Sequence, residues 1–492
     1  MRAIILLFLV AVMLICIFAG IIYGRDEFLP KSETNDEKEG RIEKLNKISS
    51  SVPNGIDYNG FWDMPDIGVR TPAEFESSQG LIISWSTYDW YTTSIFIELL
   101  QNYHSDNYAY IVVLNENERD NIKRIISENE ISLGNIKFLE IQTNSCWIRD
   151  YSPIFVYDYR DTLAAIDMLY YPEREDDDNF PQNFSIEYEI PHYNLELFLE
   201  GGNFMTDGEG LIITTQALYT ANSWMPEEQI DSTLMEYFGA DRIVALQALE
   251  YDATSHVDMF AKLIDAEHIV ISIPTDTTYD DYHRMRYNIS ILETLSLSSG
   301  AGIFEVIELP MYIEERSWPP GYNYNTYSNS VIIDEQVFVP RYDNELDDSA
   351  MTLYENIMPD YDIESIDCSA IVNAGGAVHC LVMQIPDARK LSVESGNSYC
   401  KPEILGKVYP NPFNSSVNIE IAADCPQAGP FTLNIYNLIG KRIKHFDAVS
   451  KSQIVVWDGR DSKGRLVVSG LYLITVTDQK GYSEYKKVIY SK

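Results

Sequence analysis

The sequence predicts a large mixed α/β domain that is followed by a small all-β domain. Between Arg70 and Pro386, short apolar runs rich in β-branched residues alternate with segments whose apolar residues have helical spacing. Such alternation is typical of α/β folds, in which helices cover the sheets. After Pro386, short strand-like runs separated by turn residues replace this alternation. With 492 residues, of which 45% are hydrophobic, the chain is long enough for two or more domains with their own cores.

Five runs of the first domain are predicted as strands because they are short, apolar and rich in β-branched residues. They are residues 80–85, 110–114, 210–215, 268–273 and 331–334. Segments between them have apolar residues three and four positions apart, which predicts amphipathic helices. They are residues 94–103, 116–129, 226–238 and 282–297. We expect this domain to occupy residues 66–390.

The C-terminal region has the features of a compact immunoglobulin-like β-sandwich. A polar connector at residues 391–403 precedes it, and the predicted domain covers residues 404–492. Three of its runs alternate apolar and polar side chains, as strands with one buried face do: residues 433–436, 453–457 and 470–476. Turn-forming pairs such as Asp458-Gly459 and Lys463-Gly464 separate the runs.

The N-terminal segment predicts export. Within residues 1–24, an almost unbroken apolar run from Ile4 to Tyr23 follows Arg2, which indicates a signal peptide or an uncleaved N-terminal anchor. Residues 25–65 are polar and charged, and we interpret them as a linker or pro-segment outside the core. The body of the protein is therefore expected to be secreted or to lie at the cell surface.

Charge and cysteine content narrow the classes of partner. The formal net charge is −39, from 75 acidic and 36 basic residues, which argues against nucleic acid because phosphate binding needs basic patches. Signal cleavage would remove Cys16 and leave five of the six cysteines, so at least one thiol stays unpaired within a monomer. No cysteine or histidine spacing typical of zinc is present in the sequence, and no metal site is predicted.

Four short polar islands interrupt the apolar sequence of the first domain and carry reactive groups. They are residues 147–150, 200–203, 256–258 and 375–380. A guanidinium cation is planar, and its N–H donors match carboxylates bidentately. Its hydrolysis needs a nucleophile for the central carbon and an acid/base that protonates departing ammonia and activates water. The islands supply carboxylates, an imidazole and a thiol for these roles.

The expected arrangement within the islands rests on strand geometry. His256 and Asp258 lie two positions apart in a strand-like run, so we expect them to share one face. Cys380 follows a glycine-rich approach at the start of a strand, where a nucleophile would be exposed. Neighbours on a strand point in opposite directions, so His379 is interpreted as a packing or hydrogen-bonding residue and not as the base for Cys380. Each island alone has an ordinary structural explanation, such as a helix cap at Asp150, but the four together favour a site.

These motifs resemble those of the agmatine deiminase and bacterial peptidyl-arginine deiminase family. They comprise the four islands together with residues 72–76, 327–329 and 384–386, and the resemblance covers about residues 70–386. It implies the pentein fold, a five-bladed α/β propeller around a central site. It also implies a hydrolase that acts on the C–N bonds of linear amidines and needs no metal and no organic cofactor.

The resemblance also assigns roles by position. Cys380 would be the nucleophile that forms a covalent amidino-thioether intermediate, and His256 would be the general acid/base. Asp150 and Asp258 would clasp the guanidinium. The substrate-binding residues that it implies are Glu200, Asn329, Trp147, Arg149, Gly202 and Arg174.

The C-terminal region resembles the sorting domains of bacterial proteins that leave the cell through type IX secretion. The motifs that carry this resemblance are residues 408–414, 435–437, 457–459, 470–472 and the pair Lys486-Lys487. The resemblance implies that the secretion machinery is a partner of the tail.

The sequence leaves the substrate open. Export and the tail favour arginine-containing peptides or proteins, whereas Glu200-Gly201-Gly202 follows the pattern of the agmatine enzymes. Secreted protein deiminases use arginines to hold a substrate's C-terminal carboxylate, but the matching stretch 170–178 retains only Arg174 among acidic residues. The alternatives are therefore a peptidyl-arginine deiminase, an agmatine deiminase and a non-enzymatic surface binding protein.

Overall fold

The structure is a computed structural model, and it describes residues 34, 37–38, 40–41, 69–86, 90–104, 106–158, 162–300, 302–317, 320–387, 405–421, 431–437, 442–450, 453–477 and 483–491. The described residues form two compact units that divide at position 391. The predicted signal peptide or anchor lies outside the described residues, as does most of the predicted segment 25–65. Within the part of the chain that is described, no helix is long and apolar enough to cross a membrane.

The first unit is built from short strands, most of them buried. In chain order the described strands are β1 (Ser78–Ser84), β2 (Tyr108–Val113), β3 (Ile136–Glu140), β4 (Ile154–Tyr157), β5 (Leu163–Leu169), β6 (His192–Phe198), β7 (Met205–Thr206), β8 (Leu211–Thr215), β9 (Arg242–Leu246), β10 (Ala261–Leu263), β11 (His268–Pro274), β12 (Glu305–Ser317), β13 (Pro320–Thr326), β14 (Val331–Ile333), β15 (Gln336–Arg341), β16 (Asp362–Asp367) and β17 (Met383–Pro386).

Helices connect these strands. The described α-helices are α1 (Trp90–Asn102), α2 (Glu116–Glu128), α3 (Ile148–Tyr151), α4 (Glu175–Asp178), α5 (Phe180–Tyr188), α6 (Ala217–Ala221), α7 (Glu227–Phe238), α8 (Asp280–Leu292) and α9 (Asp347–Ile357). Short 3-10 turns occupy Gly201–Asn203, Val257–Met259, Ile371–Ala374 and His379–Leu381.

The strands of the first unit form five sheets among the described residues, with orders β17-β1-β2-β3, β4-β5-β6, β7-β8-β9, β10-β11-β12-β13 and β14-β15-β16. In each sheet one strand pairs antiparallel with a second strand, and that second strand pairs parallel with a third. Each parallel pair is connected through one or two helices, because a parallel connection needs a crossover that a tight turn cannot provide. The unit is therefore a mixed α/β fold made of a repeated strand–strand–helix–strand pattern.

The last strand of the unit completes the first sheet. β17 pairs antiparallel with β1, with Ile82 opposite Met383 and Ser78 opposite Pro386. This pairing holds the two ends of the α/β unit side by side. Since Cys380 immediately precedes β17, the pairing also fixes the position of the predicted nucleophile.

The predicted strands and helices of this unit are confirmed with small shifts of their ends. The clearest difference is the helix predicted at 282–297, which begins at Asp280 and ends at Leu292. Beyond it the chain turns back, so that the backbone N–H of Leu297 donates to the carbonyl of Gly302. Gly300 has a φ of +70° in this turn, a conformation that glycine adopts without steric cost and that ends the helical pattern.

The second unit is all-β within the described residues. Its strands are β18 (Leu405–Tyr409), β19 (Val417–Ile421), β20 (Phe431–Asn437), β21 (Arg442–Val449), β22 (Ile454–Trp457), β23 (Gly470–Thr477) and β24 (Ser483–Tyr490). They form two sheets, β18-β19-β22 and β21-β20-β23-β24. Apolar side chains from both sheets, including Ile419, Ile435 and Trp457, form one core. The all-β character that the alternating pattern predicted is confirmed.

Candidate active site

The polar islands occupy equivalent places in the fold. Each lies in the connection from the last strand of one sheet to the first strand of the next. Residues 147–150 lie between β3 and β4, 200–203 between β6 and β7, 256–258 between β9 and β10, 327–329 between β13 and β14, and 375–380 between β16 and β17. Four of the five described connections of this kind therefore contain the four islands, and the fifth contains the motif at residues 327–329.

The local backbone of the islands is turned, not extended. His256 and Asp258 lie at a 3-10 turn, and Cys380 lies in another, so the expectation that strand alternation orients them is wrong. Side-chain acceptors replace a strand partner here, because Asp252 Oδ2 accepts the N–H of His256 at 3.1 Å and Asn203 Oδ1 accepts that of Val257 at 3.2 Å. Such local side-chain bonds compete with sheet pairing and favour turns.

The predicted acid/base and the two predicted clasping carboxylates meet around Gly202. A Cβ atom built on Gly202 would lie 2.5 Å from His256 Nδ1, 2.8 Å from Asp150 Oδ1 and 3.1 Å from Asp258 Oδ2. These three side chains are almost fully buried, with 1 to 3% of their surface exposed. Only a residue without a side chain leaves room for them to converge, which explains the glycine in this island.

Cys380 lies against the same cluster. Its buried Sγ is 3.5 Å from Asn329 Oδ1 and 3.8 Å from Asp258 Oδ2. Gly376 allows this approach, because a Cβ atom there would lie 3.0 Å from the Cys380 Sγ and 2.8 Å from the Trp147 ring. Trp147, which has no exposed surface, thus packs beside the loop that carries the thiol.

Asn329, in the motif at residues 327–329, contacts two of the islands. Its Nδ2 donates to the backbone carbonyl of Asp258 at 3.1 Å, and its own carbonyl accepts the N–H of His379 at 3.3 Å. Its Oδ1 faces Cys380. A fully buried side chain with these partners holds the thiol loop and the Asp258 turn in register.

His256 lies between two carboxylates. Its Nδ1 is 3.6 Å from Asp150 Oδ1, and its Nε2 is 3.3 Å from Glu200 Oε2. Glu200 in turn accepts a hydrogen bond of 2.9 Å from the Tyr171 hydroxyl. Burial, together with Glu200 and Asp150, raises the pKa of Tyr171 well above its ordinary value, so this hydroxyl remains a donor. Flanking carboxylates favour the protonated imidazole that an acid catalyst needs.

An open cavity of about 580 Å³ reaches the edge of this cluster. Glu200, His256 and Tyr171 line it, and so do Lys38 and Arg41 from the N-terminal segment. Cys380, Asp150 and Asp258 lie buried beyond these residues. A ligand in this cavity can therefore contact Glu200 and His256.

Of the six predicted substrate-binding residues, only Glu200 lines the larger cavity. Gly202 and Asn329 lie at the buried cluster, whereas the other three lie elsewhere. Arg149 Nη2 donates to Gln384 Oε1 at 2.8 Å, beside a separate cavity of about 80 Å³. Trp147 lies in the core. The guanidinium of Arg174, 1% exposed, is bound by Glu37 with an Nε to Oε1 distance of 2.6 Å.

Glu37 belongs to the segment that was interpreted as a linker or pro-segment. Thr34 and Glu37 form a reciprocal capping pair, in which each side chain accepts the other's backbone N–H. The Arg174 guanidinium also lies over the Tyr171 ring, 4.9 Å from its centroid. The described part of the N-terminal segment is thus connected through Arg174 and Tyr171 to Glu200.

The cluster is suited to a cation. Donor atoms of Asp150, Glu200 and His256 lie within 4.8 Å of one another, close enough to hold a metal ion or a cationic group. A planar guanidinium fits opposed carboxylates, whereas a thiol beside them supplies a nucleophile that metal binding alone would not require.

Sequence reasoning missed several residues that build the site. Tyr171 lies in the stretch 170–178 and Asn203 lies in the island 200–203. Nothing in their spacing predicts their hydrogen bonds to Glu200 and Val257. Lys262, buried in β10, carries a weak signal as a single cation within an apolar run. Its partner Glu74 lies 188 residues away in sequence.

The α/β unit and the tail each match a known family. Residues 70–386 match the Porphyromonas-type peptidyl-arginine deiminase family. Residues 407–491 match the secretion system C-terminal sorting domain. The tail indicates that the protein is exported to the cell surface or secreted, as the sequence predicted.

Individual relatives agree with the first match. An agmatine deiminase-type protein of Legionella pneumophila is 30% identical over 284 residues, which are 54% of this chain and 79% of that protein. The agmatine deiminase of Pseudomonas aeruginosa is 26% identical over 289 residues, 52% of this chain and 78% of that one. The solved agmatine deiminase of Enterococcus faecalis shares the fold, with a TM-score of 0.58 and 21% identity over 66% of this chain and all of its own.

Proposed function

Because the chain belongs to the Porphyromonas-type peptidyl-arginine deiminase family, whose members are hydrolases that modify guanidino groups, we propose that it converts peptidyl-arginine to peptidyl-citrulline and ammonia. The observation that supports the chemistry best is the convergence of His256, Asp150 and Asp258 on Gly202, with Cys380 beside them. These are the groups that hydrolysis of a guanidinium requires.

The guanidinium is held by Asp150 and Asp258. Both carboxylates are buried, and a buried carboxylate is stable only when it is paired or hydrogen-bonded. A guanidinium brings charge and several N–H donors in one plane, so it can bind both carboxylates at once. Glu200 lines the open cavity, which supports a role for it in binding the outer part of the substrate.

In the first half of the reaction, the Cys380 thiol loses its proton, which the released ammonia takes up in solvent, and the thiolate forms a bond from Sγ to the central guanidinium carbon. The bond from that carbon to a terminal nitrogen then breaks, and the nitrogen leaves as ammonia after His256 has given it a proton. The product of this step is a covalent amidino-thioether. Glu200 and Asp150 flank His256 and favour the protonated form that this step uses.

In the second half, His256 accepts a proton from water, and the oxygen of that water attacks the thioether carbon. The C–S bond breaks, the thiol of Cys380 is restored, and the carbon retains oxygen as a ureido group. Overall, one water is consumed and one ammonia is released for each guanidinium. No step needs an oxidant, a metal or an organic cofactor.

The open cavity supports a peptide or protein as the substrate. At about 580 Å³ it offers more room than the short aliphatic chain of agmatine needs, and it is open to the exterior. Export of the protein adds to this argument, since it places the site where extracellular polypeptides are the available source of arginine. The second candidate is agmatine, which the 30%-identical relative and the Glu200-Gly201-Gly202 island favour.

A C-terminal arginine is not required in this proposal. Arg174, the predicted partner for a substrate's terminal carboxylate, is buried and bound by Glu37. Burial lowers the pKa of Arg174, but Tyr170 and Glu37 outweigh burial and raise it overall. Arg174 therefore stays charged and paired with Glu37. Internal arginines are therefore expected to be accepted as well as terminal ones.

We also propose that the α/β unit is a five-bladed pentein propeller. It is supported by the five described sheets with a shared pairing pattern and by the four islands and the motif at residues 327–329 in their five connections. In this proposal residues 66–390 are the catalytic domain, 404–492 are the sorting β-sandwich, and 391–403 link them. Residues 1–24 are the export signal or anchor.

The test uses the exported protein without its signal. It is incubated with agmatine, free arginine and two peptides that carry either an internal or a C-terminal arginine. Ammonia release and the mass change that accompanies replacement of nitrogen by oxygen are followed. We expect turnover of both peptides to exceed that of agmatine, and Cys380→Ala to abolish it.

Cys368→Ala is the matched control, because Cys368 is a second buried free thiol that has no place in the reaction. Turnover of agmatine alone would replace the peptide assignment with the second candidate. Ammonia release that survives Cys380→Ala would refute the thiol mechanism, and absence of any product with all four compounds would favour a binding protein.

A further inference from the structure

A second buried histidine lies behind the proposed guanidinium site. His379 Nδ1 is 2.7 Å from Asp258 Oδ2, and His379 Nε2 is 2.9 Å from Glu74 Oε2. The ring is 3% exposed and lines the smaller cavity of about 80 Å³. The reaction steps described above make no use of it.

Glu74, the carboxylate that contacts His379 Nε2, is itself held by several hydrogen bonds. Lys262 Nζ lies 2.9 and 2.8 Å from the two oxygens of Glu74, and the backbone N–H of Ile332 donates to Glu74 Oε1 at 3.0 Å. Although burial opposes its ionisation, Lys262 and His379 lower the pKa of Glu74 well below its ordinary value. Glu74 is thus a fixed carboxylate that accepts from three sides.

The His379 backbone is held as well. Its N–H donates to the carbonyl of Asn329, and its own carbonyl accepts from Arg149 Nε at 3.4 Å. With the main chain and the Nε2 atom both fixed, the direction of Nδ1 is determined. An imidazole held in this way can orient the carboxylate that it contacts, because the ring itself is not free to rotate.

Both ring nitrogens face carboxylate oxygens, so each of the two short contacts needs a proton between its atoms. A chain of alternating charge satisfies this requirement: Asp258 carboxylate, His379 imidazolium, Glu74 carboxylate and Lys262 ammonium. The pKa of His379 is lowered overall, because burial, Arg149 and Lys262 outweigh the opposite effect of Glu74 and Asp258. The two short contacts with carboxylate oxygens are the interactions that favour a proton on each ring nitrogen.

We propose that His379 is a positioning residue that orients Asp258 for the guanidinium through its Nδ1–H, with Glu74 and Lys262 holding the ring from behind. This inference rests on the proposed function, because it assigns Asp258 the task of binding the substrate cation. Asp258 Oδ2 also lies 3.8 Å from Cys380 Sγ, so a rotation of this carboxylate would disturb the cation and the thiol together.

The asymmetry of the ring allows a sharp test. His379→Asn places an amide N–H near the Nδ1 position and retains the contact with Asp258. His379→Gln extends toward the Nε2 position and retains the contact with Glu74. We expect His379→Asn to keep kcat within roughly tenfold of the parent, and His379→Gln to lose about 10²-fold, because a misplacement of about 1 Å costs that much.

Thermal unfolding of both variants is measured alongside, and His283→Asn, at an exposed histidine, is the control for handling and concentration. A merely structural role predicts that kcat follows the melting temperature. The same two substitutions are also made in the Cys380→Ala background, where calorimetry measures the affinity for agmatine and for an arginine peptide without turnover.

The outcomes separate the two proposals. Equal kcat and equal affinity in the Asn and Gln variants, or losses that follow stability alone, would overturn the role of His379. A parent protein that binds guanidinium ligands without turning them over would refute the proposed deimination, while a weaker affinity of the Gln variant than of the Asn variant would still support His379. A parent that neither binds nor reacts would overturn both.

Discussion

Gly202 and His256 are in contact, because a Cβ atom on Gly202 would lie 2.5 Å from the Nδ1 atom of the imidazole. No φ in the left-handed region forces glycine at this position, so the requirement is one of space. The same Cβ would lie 2.8 Å from Asp150 Oδ1. One glycine therefore decides whether the acid/base and the clasping carboxylate can approach the same point.

Gly202→Ala should fold and lose activity. The added methyl group must displace His256 or Asp150, and a displacement of about 1 Å costs on the order of 10²-fold in rate. Steady-state kinetics with an arginine peptide, together with thermal unfolding, measure both effects. Gly302→Ala is the matched control, because a Cβ atom on Gly302 would lie 3.7 Å from Leu297 Cδ1, which is an ordinary van der Waals distance. Full activity in Gly202→Ala would contradict the proposed convergence at this residue.

Glu200→Gln should move the pH–rate profile. The Glu200 carboxylate lies 3.3 Å from His256 Nε2 and stabilises the protonated ring, so the neutral amide removes an attractive charge. We expect the alkaline limb of the profile to move to lower pH. Tyr171→Phe is the comparison, because it removes the hydrogen bond to Glu200 but leaves the charge. An unchanged limb in Glu200→Gln would show that another group sets it.

Asp177 should make stability depend on pH. Burial raises the pKa of Asp177 to about 6 from an ordinary value of 3.8, although Ser145 and Asn144 donate to its carboxylate. Between these two pH values the folded state binds more protons than the unfolded state, so the free energy of unfolding falls as pH rises through 6. At neutral pH the ionisation of Asp177 makes the free energy of unfolding roughly 3 kcal/mol smaller than it is below pH 3.8.

Asp177→Asn removes this titration. We expect the stability of the variant relative to the parent to improve as pH rises from 4 to 8, measured by denaturant unfolding at each pH. Glu175→Gln on the same short helix is the control, because that side chain is exposed. A difference between Asp177→Asn and the parent that is constant with pH would show that Asp177 does not titrate in this range.

The N-terminal segment should limit access for large substrates. Lys38 and Arg41 line the cavity that leads to Glu200 and His256, and the Glu37–Arg174 pair holds the segment there. A chain that begins after residue 41 should bind arginine peptides roughly tenfold more tightly, a gain of about 1.4 kcal/mol, with little change for agmatine. Comparison of KM for the two substrates measures this. Equal effects on both would mean that the segment does not select by size.

Much of the secondary structure was predictable because its signals are local. The runs that became β1, β2 and β11 are apolar and β-branched, and those features act within a few residues. The local conformation around His256 was not predictable, because the acceptors that shape that turn, Asp252 and Asn203, become neighbours only in the fold. Ser255 adopts a φ of +56° there, which no strand pattern would suggest.

The sequence by itself determined which reactive groups this protein has, the order of its elements and the all-β character of its tail, because composition, spacing and motif order are properties of the chain. Only the tertiary structure decided how those groups face one another. It joined β17 to β1 beside Cys380, placed His379 between Asp258 and Glu74, and bound Arg174 to Glu37. Such contacts join residues from about 120 to more than 300 positions apart, and their geometry follows from packing of whole sheets, which local sequence patterns do not encode.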